Sequence, residues 1–206
     1  MKQFLALCLI LFCSALAMAE KSDLHLTFKY PLGKKEQPLA RRVNDLREAH
    51  NLPRIVVTKS LTKTARIHVR DLEKNRPDTG KDHGLPCNLH SWSNNGYWTP
   101  VCYTEDHQYS HLMWNKPREI TEGRFTGNGY EIAFYDSDEA MSKAAVESWE
   151  NCSSHLDVIL ERGIFADKDW KSMGVGIYRH YAVVWFSDSE DPLGPILKPN
   201  EGGEGQ

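Results

Sequence analysis

Long apolar runs are almost missing from this 206-residue chain. The one candidate lies at the start, where Phe4 to Leu16 is nearly all apolar. That is about a dozen residues, and a bilayer-crossing helix needs roughly 20. Nothing later is long and apolar enough to span a membrane as a helix, so the rest of the chain is expected to be soluble. Cysteine is scarce too: five in all, of which Cys8 and Cys13 fall in the apolar start and only Cys87, Cys102 and Cys152 lie beyond it. Three cysteines exclude a fold built on a disulfide scaffold. Charge of either sign is not in excess, with 25 Lys+Arg against 28 Asp+Glu and a net of −3. Without a basic surplus there is no footprint for a nucleic-acid partner. There is no G-x-S-x-G elbow, no phosphate-cradling glycine loop and no dinucleotide fingerprint, which excludes the chemistries built on them.

What is present begins with an export signal. Lys2 supplies a positive charge, the apolar run follows, and Ala17-Met18-Ala19 places small residues at both positions a signal peptidase reads. Phe12 ahead of Cys13 is too bulky for a lipoprotein signal. Residues 1–19 are therefore a signal peptide, and the protein is secreted or periplasmic. Losing Lys2 lowers the basic count from 25 to 24 against 28 acidic residues, a net of −4. The remaining chain, about 187 residues, suits one domain with a real core.

Residues 20–37 are polar and broken by Pro31 and Gly33, and read as an N-terminal arm. Leu39, Val43, Leu46 and Ala49 then recur every three or four residues, a helix that ends at Asn51-Leu52-Pro53. Ile55-Val56-Val57 bridges to a second helix with the stripe Leu61, Ala65, His68 and Leu72. His68 inside that stripe reads as a packed, hydrogen-bonded core histidine. From Pro77 to Gly129 regular periodicity disappears, and so long an irregular stretch is functional or pinned down. Cys87 and Cys102 bracket part of it and are the favoured disulfide, with a bridge using Cys152 as the alternative.

Order returns at Gly129 to Tyr135, an extended run with Glu131 on the face opposite Tyr130, Ile132 and Phe134. Asp136 to Asp138 offers caps for a helix reaching Trp149, and Ser153 caps another over Ser154 to Leu160. Met173 to Tyr178 and Tyr181 to Ser187 read as strands joined by a tight turn at Arg179-His180, the second apolar on both faces as a covered strand is. Residues 191–206 are rich in Pro, Gly and Glu and read as a disordered tail. Helices around a small sheet whose strands come late make an α+β domain over 38–190.

Among candidate site residues, His107-Gln108-Tyr109-Ser110-His111 has zincin histidine spacing with Gln108 where the general base belongs, and reads as a solvated loop. His90, Glu131 and His155 fit together better. Two histidines and a glutamate are a known zinc set that leaves a fourth position for water, although spacing alone does not bring them together.

The chain carries, in order, Asn44-x-x-Arg47, Leu61-x-x-x-Ala65-x-x-His68, Leu89-His90-Ser91, Gly129-Tyr130-Glu131-Ile132-Ala133, Trp149 followed by Ser154-His155 and Ile159-Leu160, Met173-Gly174-Val175-Gly176, and Tyr181-x-Val183-Val184-Trp185. This succession resembles the CAP superfamily (cysteine-rich secretory proteins, antigen 5, pathogenesis-related 1), also called SCP domains, and its bacterial branch more than the animal one. The likeness runs from about residue 38 to 188. It implies a three-layer α-β-α sandwich with a small central sheet and a cleft holding two histidines and two acidic residues, which in some members bind a divalent cation. His90 matches the first histidine, Glu131 the first glutamate and His155 the second histidine. Cys152 stands where the family has its other glutamate, with Glu150 nearby but out of register.

The resemblance implies a secreted, non-enzymatic protein whose cleft takes an unknown ligand or an extracellular protein or lipid partner. The alternative is a metal-dependent hydrolase in which zinc on the His/Glu/His set activates water. In a third reading the three residues form only a buried hydrogen-bonded knot. In the metal reading, Cys152 either turns inward as a fourth ligand or packs against the sheet as a small hydrophobe; the second is favoured. The leader generates a direct test. Intact mass of the exported protein should correspond to a chain beginning at Glu20, and a product that keeps Met1 would refute the signal.

Overall fold

The computed structural model describes residues 31–197, so the expected signal peptide over 1–19 and the chain after Leu197 lie outside the described residues. Helix α1 (Glu36–Ala49) buries Leu39, Val43 and Leu46. Asn51 adopts a left-handed conformation, φ 61°, and the Leu52 N–H then bonds the Arg47 carbonyl, closing the helix end. Strand β1 (Val56–Thr58) leads straight into α2 (Lys59–Asn75), which Arg76 ends at φ 49°. The irregular stretch follows: a small hairpin of β2 (Lys81–Asp82) and β3 (Leu85–Pro86), then the short helices α3 (Ser110–Trp114) and α4 (Lys116–Ile120). Strand β4 (Tyr130–Tyr135), helices α5 (Ser142–Glu150) and α6 (Ser153–Ile159), and strands β5 (Ser172–Tyr178), β6 (Tyr181–Ser187) and β7 (Pro195–Leu197) complete the described fold.

The main sheet has the order β4-β6-β5-β1-β7. Strand β6 is paired on both sides and buried throughout, as its unbroken apolar run requires. One sheet face packs against α1, α5 and α6 through Leu39, Val43, Val146, Trp149, Ile132, Val175 and Val184. The other meets α2 and the irregular segment through Leu61, Val69, Trp92, Trp98, Val183 and Trp185. These are the three layers of an α-β-α sandwich, with a core on each side of the sheet.

Two glycines set how closely α2 lies on the sheet. A Cβ at Gly174 would overlap the backbone of Leu61 and Thr62, and one at Gly176 would come within 2.6 Å of the Ala65 carbonyl. On the other side, the Asn44 side chain bonds both the carbonyl and the amide of Ile55, at 3.1 and 2.8 Å. Arg47 is 1% exposed and donates to the carbonyls of Pro53 (3.0 Å) and Ile159 (2.6 Å) and to the Glu161 carboxylate (3.2 Å). The Asn44-x-x-Arg47 pair thus ties α1 to the chain before β1 and to the end of α6, satisfying carbonyls that burial would otherwise leave unpaired.

The structure corrects four readings of the sequence. Residues 55–57 do not merely bridge two helices, because β1 pairs parallel with β5 and antiparallel with β7. The expected arm over 20–37 already belongs to the fold at its end. Leu32 is buried in the core, and Glu36 bonds the Arg66 guanidinium at 2.6 and 2.5 Å. Helix α5 starts at Ser142 and not near Asp136, because the amides of Asp136 and Ala140 bond the His180 and Arg179 carbonyls of the β5–β6 turn and keep the chain extended. The tail expected from residue 191 is ordered as far as β7, and Asp191 accepts hydrogen bonds from both the amide and the hydroxyl of Ser60 at 2.6 Å, capping the start of α2.

The close approach at Gly174 yields a prediction. Gly174→Ala should destabilise the domain by about 3 kcal/mol or more, since the helix backbone must move to admit a methyl. The loss would be read from the urea midpoint. A midpoint equal to that of the unsubstituted protein would show that α2 does not lie where described.

Candidate functional site

Glu131 is the second residue of β4, on the side facing α2, with Tyr130 and Ile132 turned into the opposite core. Its carboxylate is buried without exposure, and both oxygens are used. His68, in the middle of α2, places Nδ1 2.5 Å from Oε1, and His90 donates from Nδ1 to Oε2 at 2.9 Å. The other nitrogen of His68, Nε2, lies 2.9 Å from the Ser91 carbonyl. A carbonyl only accepts, so Nε2 carries a hydrogen. Facing an ionised carboxylate, Nδ1 carries one as well, which makes His68 an imidazolium. The ring is stacked on Trp92 at 4.1 Å with its edge toward Trp185.

Burial alone would push the His68 pKa down, yet the Glu131 charge and hydrogen bond hold it above the ordinary 6.5. Burial alone would raise the Glu131 pKa, yet the His68 charge and the bonds from both histidines hold it below the ordinary 4.5. The two form a buried ion pair whose remaining hydrogen-bonding groups are met, the condition under which such a pair is tolerated.

His90 rides on the irregular segment, which is pinned at its neck. The Cys87–Cys102 disulfide closes it, as expected from the sequence, with 5.0 Å between the Cα atoms. Beside it the Asn88 amide donates to the Tyr103 carbonyl, and Trp92 and Val101 form a two-way backbone bridge. The His90 amide donates to the Asn88 side chain at 3.0 Å. With Nδ1 donating to Glu131, Nε2 of His90 is the ring nitrogen left for another partner. Its side chain is 19% exposed, against none for His68 and Glu131.

His155 lies in the first turn of α6, half-buried, and its Nδ1 is buried with no hydrogen-bond partner. Burial, and then repulsion from the His90 charge, lower its pKa to about 4, so it is neutral at ordinary pH. Of the expected set, Glu131 and His90 are in direct contact, and His68 joins them on the same carboxylate. Sequence reading took His68 for a packed, hydrogen-bonded core histidine. It is one, but its bond is to the site's own carboxylate. The signal available was its place in the α2 stripe; its partner, 63 residues away, gave none.

The two further groups do not enter the site. Cys152 does not pack against the sheet. It precedes α6 half-exposed as a free thiol, its Sγ 3.2 Å from the Ser154 hydroxyl. That bond, with the His155 amide, holds the thiol pKa below its usual range. Glu150 is exposed at the end of α5. The His107–His111 stretch is a surface turn that runs into α3 at Ser110, with both histidines exposed and His107 Nδ1 2.9 Å from the Tyr103 hydroxyl. The residues present do not fit zinc. Glu131, the carboxylate of the expected set, has both oxygens committed to histidines, and among the described residues no three His, Cys, Asp or Glu side chains are grouped to hold a metal ion.

The ion pair sets a pH dependence. The stability that Glu131 contributes is present above its unfolded value, near 4.5, and is lost as pH falls through the lower folded value. The stability that His68 contributes is present below about 6.5 and is lost as pH rises through the higher folded value. Glu131→Gln should therefore cost about 3 kcal/mol near pH 6 and less at pH 9, measured by urea unfolding at both. An equal loss at the two values would mean that His68 is not charged.

Comparison with known proteins places this geometry. The family model of the cysteine-rich secretory protein family, CAP, matches residues 40–187. The fold is similar to an extracellular protein containing an SCP domain from Bacillus anthracis, with 16% identity and a TM-score of 0.49 over 78% of this chain and 45% of that one. It is similar to a cysteine-rich secretory protein from Staphylococcus aureus, with 15% identity and a TM-score of 0.47 over 79% and 42%. An outer surface protein from Borrelia burgdorferi matches with 16% identity and a TM-score of 0.48, over 80% of this chain and 100% of that one. The chain thus spans less than half the length of the first two. No curated protein matches the sequence. With the family match covering four of the five strands of the main sheet, helices from both layers and the residues His68, His90, Glu131 and His155, this chain belongs to the cysteine-rich secretory protein (CAP) family.

Proposed function

We propose that this protein works outside the cytoplasm as a non-enzymatic CAP protein that binds a ligand or partner in the cleft between the disulfide-closed segment and the first turn of α6. The leader read in residues 1–19 supports the location. No described helix is long and apolar enough to cross a membrane. The observation that carries the binding assignment is the buried, unpartnered Nδ1 of His155. A buried polar atom with no partner costs about 1–3 kcal/mol, and a hydrogen bond from a bound molecule removes that cost.

Glu131 and His68 lie beneath and make no contact with the ligand in this reading. Their work is to orient His90 and fix which of its nitrogens donates. The neutral imidazole of His155 suits hydroxyl and amide groups, which both donate and accept, better than it suits anions. The metal-hydrolase reading loses its ligand set to the Glu131–His68 pair, so no catalytic step is assigned.

Two measurements test this. Native mass spectrometry of protein exported by its own host should show a retained small molecule or partner, lost in His155→Ala. Retention equal in both forms would remove the cleft as the binding site. Calorimetric zinc titration at pH 7.5 should show no stoichiometric binding in the unsubstituted protein or in His90→Ala. Stoichiometric binding abolished by His90→Ala would restore the metal reading.

A further inference from the structure

Three tyrosines stand in a row at the end of the sheet remote from Glu131. Tyr135 closes β4, Tyr178 closes β5 and Tyr181 opens β6, and the register sets Tyr181 opposite both of the others. Directly paired residues share a face, here the α2 face, where Tyr181 is in the core. At about 4.8 Å between strands the row is roughly 10 Å long. Tyr135 and Tyr178 are among the few large exposed side chains with an apolar body, 42% and 36% exposed.

Guanidinium groups lie over this row. Arg76 sits 5.7 Å from the Tyr135 ring centre and 5.9 Å from that of Tyr181, and Arg70 and Arg179 lie 5.2 and 5.6 Å from that of Tyr178. The balancing carboxylates are set lower. Glu73, which pairs with His180 and Arg179, and Asp78, which pairs with Arg76, have side chains only 14% and 11% exposed, against 64% for Arg179 and 47% for Arg76. Within these pairs the arginines are the more exposed partners, on a chain whose net charge is −3.

We infer that this arginine–tyrosine ladder is a docking surface for an acidic polypeptide segment. Arginine and tyrosine dominate the energetics of protein interfaces because each gives a rigid, amphipathic contact. Resting on a ring holds a guanidinium flat, so less freedom is lost when it grips a carboxylate with two parallel hydrogen bonds. Each guanidinium has five N–H donors, and its described hydrogen bonds use two on Arg76 and one on Arg70. Because the guanidiniums cover the ring faces, the row has little open π surface on which a sugar could stack. Side-chain carboxylates on a peptide, spaced by a few ångströms, match charges distributed along a row of about 10 Å. Below Arg76 the Tyr181 hydroxyl is buried with no hydrogen-bond partner, an unmet group of the kind binding surfaces keep.

The patch is independent of the cleft, since Tyr135 is the last residue of the strand on which Glu131 is second. The test uses the full mature chain and a fluorescein-labelled 20-residue poly-L-glutamate, followed by anisotropy at low salt. The double variant Arg76→Ser/Arg179→Ser should weaken binding at least tenfold, while Lys143→Ser/Lys171→Ser, with the same charge loss elsewhere, should weaken it less than threefold. Binding should also fall steeply as salt is raised to 0.3 M. Equal weakening by the two double variants, or no binding by the unsubstituted protein, would overturn the assignment. Tenfold tighter binding of a sulfated glycan of equal charge, lost in Arg76→Ser/Arg179→Ser, would replace the polypeptide partner with a polysaccharide.

Discussion

A carboxylate with no access to water needs two donors, and Glu131 draws them from parts of the chain that share no other purpose. His68 comes from the longest of the described helices and His90 from the disulfide-closed segment. Because the charge on Glu131 is stable only when both arrive, the pair couples the packing of α2 to the seating of the irregular segment. Ser91 closes the circle: its carbonyl accepts from His68, so the segment carrying His90 is held by the same imidazolium that holds the carboxylate. Both carboxylate oxygens of Glu131 and both ring nitrogens of His68 are met only when the three elements are in place.

That arrangement requires α2 to sit unusually close to the sheet, and Gly174 and Gly176 provide the room. The same closeness lets His68 reach a strand residue with a short side chain. The ring is then confined between Trp92 and the edge of Trp185, which leaves it little freedom to turn away. On the opposite face the work is done by backbone carbonyls: Arg47 gathers those of Pro53 and Ile159, and the Trp149 indole donates to that of Ala133. One side of the sheet is specified by a charge pair, the other by side chains that satisfy the ends of secondary structure.

Much of this was legible in the residues. The alternation in 130–135 placed Glu131 on the face it occupies, the two-residue turn between β5 and β6 was visible as Arg179-His180, and the bracketing of the irregular stretch pointed to Cys87 and Cys102. What escaped reading depended on distant partners or short lengths. Three residues of β1 are too few to show a period. The start of α5 was misplaced because residues 136 and 140 bond a turn some 40 positions later, which competes with the helical caps. The part played by His68, and the loss of Glu131 as a metal ligand, follow from one contact across 63 residues that no local pattern encodes. Cys152 was misread for a simpler reason: a small residue beside a helix start can satisfy itself with the next serine and has no need of the core.

The cap that Asp191 places on α2 has a further meaning for the order of assembly. Its two bonds to Ser60 join residues 131 positions apart, and β7 pairs with β1 beside them. A helix whose first turn is completed by nearly the last described residues cannot be finished until those residues are at hand. Closing so long a loop is entropically costly and slows folding. The helix that carries His68 therefore locks onto the sheet late, and the carboxylate of Glu131 gains its imidazolium only once the far end of the described chain has been made.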